Sequence, residues 1–178
     1  GEPGSARDPD SAAIEDARFD DDVWKLRIVR DGVALDVFAR SVVNATGPWS
    51  PQTAGCLGVA PTELWWIKGS HLLVERKPDF GDDAIIIRST RDNRPLWVIP
   101  WETRLIVGST EKRFHGDLRE VHPDADEVDD LWRSLLHFFP THGFTRADIR
   151  GAYAGVRPIV PQEEDSENRL SRRHEIQK

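Results

Sequence analysis

The sequence has no methionine and one cysteine, Cys56. A single cysteine closes no internal disulfide, which fits a reducing compartment. No apolar run approaches the roughly 20 residues that span a bilayer, so no transmembrane helix is expected. The acidic, polar start has neither the basic residues nor the apolar stretch of a secretory signal. Positive charge is in deficit: 24 Lys and Arg stand against 31 Asp and Glu, for a net charge of -7. That balance argues against a broad nucleic-acid surface. Also missing are a Gly-x-Ser-x-Gly elbow, a phosphate loop and a Gly-x-Gly-x-x-Gly turn. His137 and His142 straddle Pro140, and His115 and His122 lie in a loop without Cys or clustered acidic partners, so no metal site is expected. With no Met and a start of Gly1-Glu2-Pro3-Gly4, the chain is taken as a piece of a longer protein, ahead of a processed chain or an expression product.

What is present suffices for a packed core. Of 178 residues, 38% are hydrophobic, including seven Trp and seven Phe. The length suits one domain with ragged ends. Residues 1–22, rich in Gly, Pro, Asp and Ser, predict a disordered lead-in. Residues 24–30 and 33–38 alternate around Asp31-Gly32, the signal of a hairpin. Ser41-Val42-Val43-Asn44-Ala45 predicts a short strand buried on both faces. A short helix is expected within 52–59. Residues 64–75, 84–89, 96–101 and 104–109 predict four strands of an antiparallel sheet, joined by turns. Apolar residues at 128, 131, 132, 135, 136 and 139 mark one face of a helix over 124–139. A last strand is expected over 149–160, before a polar stretch and a basic end.

Three segments could carry chemistry. In Ala45-Thr46-Gly47 small side chains let a ligand or another backbone come close, although a plain exit from a strand reads the same way. In Ile67-Lys68-Gly69-Ser70-His71, a regular strand places residues 67, 69 and 71 on one face. His71 then either faces a cleft, where it can exchange a proton near neutral pH, or sits in the core bonded to a backbone carbonyl. In Gly155-Val156-Arg157-Pro158 a permanently charged fork stands between a glycine and a proline. Arg157 therefore has either a protein partner or an anionic ligand, because an unpaired buried guanidinium is costly. Ser171-Arg172-Arg173-His174 adds basic groups near the end.

Taken in order, Val42-Val43-Asn44-Ala45-Thr46-Gly47-Pro48-Trp49, Ile67-Lys68-Gly69-Ser70-His71, Val98-Ile99-Pro100-Trp101, Ile106-Val107-Gly108-Ser109-Thr110-Glu111, Tyr153-Ala154-Gly155-Val156-Arg157-Pro158 and Ser171-Arg172-Arg173-His174-Glu175-Ile176 resemble the FAD-dependent glycerol-3-phosphate dehydrogenases, flavoproteins of the DAO type. Gly108-Ser109-Thr110-Glu111 keeps, at Thr110, the second threonine of the family's usual Gly-Thr-Thr-Asp and departs from it at Ser109 and Glu111. The resemblance implies the central part of such an enzyme, of α+β / α/β class: a mixed, mostly antiparallel sheet of a substrate domain, with a few strands of a Rossmann-like FAD domain. Residues 23–63 would belong to the FAD domain and 64–148 to the substrate domain. Residues 149–178 would return towards the FAD domain and open a C-terminal part.

By the same resemblance the cofactor is FAD, approached by Ala45, Thr46 and Gly47 at the edge of a cleft that His71 and Arg157 share. The reaction implied is hydride transfer from C2 of sn-glycerol 3-phosphate to the flavin, giving dihydroxyacetone phosphate, with a quinone taking the electrons. Arg157 and Arg172 would contact substrate, and His71 or Arg157 would handle the C2 hydroxyl proton. The implied location is cytoplasmic or peripheral on the inner face of the membrane. Two alternatives stand beside this: a related flavin amine or amino-acid oxidase, and a non-catalytic module on the same scaffold. Without the upstream glycine turn, residues 1–178 alone are expected to bind no FAD stoichiometrically.

Overall fold

The computed structural model describes residues 12–161. The chain divides into two compact units that meet between Leu64 and Trp65.

The first unit is built on an antiparallel meander of β1 (Ala12–Asp20), β2 (Val23–Arg30) and β3 (Val33–Ala39), in that spatial order. Asp31 (φ 52°) and Gly32 (φ 77°) make the turn between β2 and β3. Both central residues are left-handed, the geometry whose twist matches the flanking strands. The first nine described residues correct the expected disordered lead-in: they form β1, paired along β2. Its turn, Asp21 and Asp22, is left-handed too, at φ 50° and 61°. Aspartate tolerates that region, so the Asp-Asp pair does what Asp-Gly does without announcing it.

The strand expected at Ser41–Ala45 is absent. Those residues form no ladder, and Val43 is 87% exposed. A strand exists only through a neighbour that takes its hydrogen bonds, and none does so here among the described residues. Asn44 supplies local bonds instead. Its Nδ2 donates to the Ser50 carbonyl at 2.8 Å, and its Oδ1 accepts from the Thr46 hydroxyl at 2.8 Å. Side-chain bonds of this kind compete with regular structure. A 3₁₀ turn, Gly47–Trp49, and a short helix, α1 (Ser50–Cys56), follow.

The second unit is an antiparallel sheet with one helix on one face. Its strands are β4 (Trp65–Glu75), β5 (Ile85–Arg88), β6 (Pro95–Trp101), β7 (Arg104–Gly108), the two-residue β8 (Lys112–Arg113) and β9 (Ile149–Ile159). β4 is central. One of its edges pairs with β9 over nearly its whole length, and the other is shared by β7 and β8. β6 and β5 extend the sheet beyond β7. β9 is integral to this sheet, paired along β4.

Strand alternation sends the two rows of β4 to opposite faces. Leu72 and Val74 join Ile87, Leu96, Val98, Leu105 and Val107 in the core, against Leu131, Trp132 and Leu135 of α2 (Ala125–Phe138). The α2 stripe is the one the sequence marks. Asp124 caps the helix, and its N–H is returned a bond from Glu127 Oε2 at 2.9 Å, the capping-box exchange. No helix among the described residues is long and apolar enough to cross a membrane, a statement that leaves β-barrels aside.

Leu135 is fully buried. Leu135→Ala is expected to cost about 2–5 kcal/mol, from lost transfer energy and the cavity left behind. Urea unfolding measures it, and a loss below about 1 kcal/mol would show that α2 does not close this core.

Candidate functional site

The face of the sheet away from α2 carries the chemistry. On β4 it presents Gly69, His71 and Leu73, and across the ladder β9 opposes Gly155 to Gly69 and Tyr153 to His71. Arg157 stands opposite Ile67, two pleats further along the same face. His71 and Arg157 line one cavity of about 740 Å³, together with Trp97, Ile106, Gly108 and Glu111. The two side chains singled out in separate motifs therefore share one space, although 86 positions separate 71 from 157.

The His71 ring is held on both flanks. Tyr153 stacks on it, with centroids 4.9 Å apart and planes 9° from parallel. On the other side lies Gly108, its cross-strand partner on β7. A β-carbon at Gly108 would stand 2.5 Å from His71 Cδ2, closer than any real contact of that kind, so only glycine leaves the ring its place. Nδ1 is buried without a hydrogen-bond partner among the described residues. The histidine is thus not tied to a carbonyl, the bland alternative. Burial pushes the imidazole below its ordinary value of 6.5, and the charge of Arg157 pushes it the same way. At neutral pH it is an unprotonated ring, able to accept a proton.

Arg157 is half-exposed, and its Nη1 lies 3.5 Å from Glu111 Oε1. A pair this long and this wet contributes little. The guanidinium therefore keeps donors for an anion entering the cavity. Glu111 meets Arg157 through a register that spacing alone does not give. Tyr153 and Gly108 escaped sequence reasoning for the same reason. Gly108 carried a faint signal, as a glycine closing an apolar strand.

Beneath the pocket lies a buried polar network. Lys68 and Ser70 belong to the row of β4 that faces α2, just where that helix begins. Lys68 Nζ contacts Glu127 Oε2 at 2.8 Å and Asp124 Oδ2 at 3.0 Å, and donates to the His122 carbonyl at 3.0 Å. The Thr110 hydroxyl donates to Glu127 Oε1 at 2.6 Å and accepts the Ser70 N–H at 2.8 Å. Burial alone would raise the Glu127 carboxyl, but the bonds from Lys68 and Thr110 outweigh it and hold it below the usual value of 4.5. Burial likewise works against the Lys68 ammonium, and Glu127 and Asp124 together keep it above 10.5.

The other expected site residues are Ala45, Thr46, Gly47 and Arg172. Ala45, Thr46 and Gly47 are in the first unit. Thr46 Oγ1 is taken up by Asn44 and Thr53, at 2.8 and 3.0 Å. Gly47 has φ +58°, and no atom lies within 4 Å of where a β-carbon would stand, so its backbone is open to approach. Arg172 lies outside the described residues.

An antiparallel sheet with a helix-packed core on one face, and a neutral imidazole beside a guanidinium fork on the other, defines an α+β unit suited to a small anionic ligand. Comparison with family models matches residues 10–175 to the FAD dependent oxidoreductases. The chain belongs to that family. The aerobic glycerol-3-phosphate dehydrogenase of Escherichia coli K12 is 35% identical over 140 residues, 75% of this chain and 27% of that protein. The glycerol-3-phosphate dehydrogenase of Synechocystis is 30% identical over 141 residues, covering 75% and 26%. In fold the chain is similar to a glycerol-3-phosphate dehydrogenase from Bacillus halodurans, solved with FAD, at a TM-score of 0.71 and 22% identity over 86% of this chain and 32% of that one. The chain spans about a quarter of the length of the curated relatives it matches.

Proposed function

We propose that this chain forms the substrate-side part of a flavin-dependent enzyme that oxidises sn-glycerol 3-phosphate to dihydroxyacetone phosphate, with electrons passing to a quinone. The observation that carries this is the shared cavity: a proton acceptor and an anion fork on adjacent antiparallel strands, facing the same way. A phosphate needs fixed positive donors, and the Arg157 guanidinium supplies them in a plane that matches two oxygens at once. Arg172 adds a second cation by resemblance. The C2 hydroxyl must lose its proton as C2 is oxidised. His71, a neutral ring lining the same cavity, would take it, and Arg157 would hold the substrate beside the ring.

FAD, when bound, supplies the hydride acceptor. In the first unit, Ala45, Thr46 and the open backbone of Gly47 fit an edge contact with it. Their geometry suits close approach rather than a grip on the pyrophosphate, for which a glycine turn at a helix N-terminus serves in other folds. In this reading residues 23–63 serve the cofactor, and the sheet from residue 64 onwards serves the substrate.

The test is dye-linked turnover by the native-length protein. Glycerol 3-phosphate is expected to reduce the dye, and glycine and sarcosine are not. Turnover of either amine without turnover of glycerol 3-phosphate would reassign the cavity to a carboxylate-binding amine oxidase.

A further inference from the structure

The polar network under the pocket has no part in binding or proton transfer as described, yet it ends on both sides of the site. Thr110 is 2% exposed, Glu127 3% and Ser70 0%. Thr110 grips the Ser70 peptide unit twice. Its hydroxyl accepts the Ser70 N–H at 2.8 Å, and its own N–H donates to the Ser70 carbonyl at 3.1 Å. Ser70 immediately precedes His71. Thr110 immediately precedes Glu111, the carboxylate facing Arg157. The hydroxyl is itself aimed by the 2.6 Å bond to Glu127, which Lys68 and the cap of α2 hold in place.

We propose that Thr110 is a positioning residue: its hydroxyl, fixed by Glu127, locks β4 to the segment 108–111 and so sets the His71 ring against Gly108 and Glu111 against Arg157. The physical case is one of valence. A hydroxyl has one proton to give and lone pairs to receive. Here the proton goes to a buried carboxylate and a lone pair takes a buried backbone donor, so both ends of a two-bond chain are satisfied at one atom. Removing the oxygen leaves Ser70 N–H and Glu127 Oε1 each without this partner. An orphaned buried group relaxes by moving towards water or another partner. The two segments that this oxygen joins are the ones that carry His71 and Glu111.

The proposal rests on the functional reading for its kinetic consequence but not for its structural one. The decisive readout is therefore the titration of His71, followed by NMR on ring-labelled histidine in the native-length, flavin-loaded protein and assigned with His71→Asn. Tyr153 on β9 stacks on that ring, and the charged groups lining its cavity are Arg157 on β9, Arg88 on β5, Asp92 and Arg94 before β6, and Glu111 after β7. None of them is altered. In Thr110→Val the ring is expected to loosen and become wetter, so its titration moves up towards 6.5, the ordinary value. In the same variant kcat/KM is expected to fall about 10²-fold, the cost of a misplaced reacting group. Thr110→Ser, which keeps the hydroxyl, is expected to restore both. Leu135→Ala is the control for general loosening and should leave the His71 titration where it is. If Thr110→Val does not fold, Thr110→Ala takes its place on the same terms.

Unchanged His71 titration in a folded Val or Ala variant overturns the proposal. So does a Ser variant as impaired as Val, which would point to the methyl group, or a shift of equal size in Leu135→Ala. Movement of the titration as expected, in a protein that never turns over glycerol 3-phosphate, sustains the positioning role and removes the substrate assignment.

Discussion

His71→Asn in the native-length protein is expected to lower kcat for glycerol 3-phosphate oxidation by about 10²–10⁴-fold, the usual contribution of a positioned general base. Asparagine nearly matches the ring in size and polarity, so the sheet around it should survive. The pH dependence makes the test specific. On the proposed mechanism the wild-type histidine acts as the neutral ring, and burial followed by the Arg157 charge holds its folded pKa below 6.5. The acid limb of kcat/KM should therefore lie below 6.5, and it should vanish in the asparagine variant. Stability carries the same signature. The unfolded histidine takes up its proton at a higher pH than the folded one, so the protein loses stability as pH falls through the window below 6.5, and His71→Asn removes that loss. A variant that keeps more than a third of the wild-type kcat, with the acid limb in place, would show that the proton leaves by another route.

Arg157→Ala is expected to lower kcat/KM by about 10²–10³-fold, as loss of a charge-assisted, two-pronged contact to an anion does. Arg157→Lys keeps the charge and loses the fork, so it should recover part of that loss and fall short of wild type. A second readout separates binding from folding. With the guanidinium gone, one of the two influences that depress His71 disappears, and the acid limb should move up towards 6.5. Steady-state kinetics of the three proteins across pH measures both effects. Equal kcat/KM in Ala, Lys and wild type would mean that the phosphate binds elsewhere in the protein.

Several parts of the fold were legible because each rests on a local rule. Asp31-Gly32 set a hairpin. The apolar stripe from Val128 to Phe139 set the helix α2. The period of two in β4 placed residues 67, 69 and 71 on one face. Where reading failed, a local bond or a distant partner decided. Asn44 satisfied its neighbours through its own side chain, so Ser41–Ala45 never paired. Asp21 and Asp22 took the left-handed conformation that glycine usually signals, so β1 formed where disorder was expected.

The residues alone therefore determined which side chains could do the chemistry: a histidine able to hold or release a proton, an arginine fixed between glycine and proline, and glycines that let other groups come close. These are properties of single residues and of their nearest neighbours in sequence. Only the tertiary structure decided that His71 and Arg157 face one cavity, that Tyr153 and Gly108 flank the imidazole, and that Thr110 and Glu127 stand beneath it. The surroundings of His71 depend on strand register between segments 37 to 86 residues apart, from 71–108 to 71–157 in the chain, and register is fixed by how the other face of the same strands packs against α2.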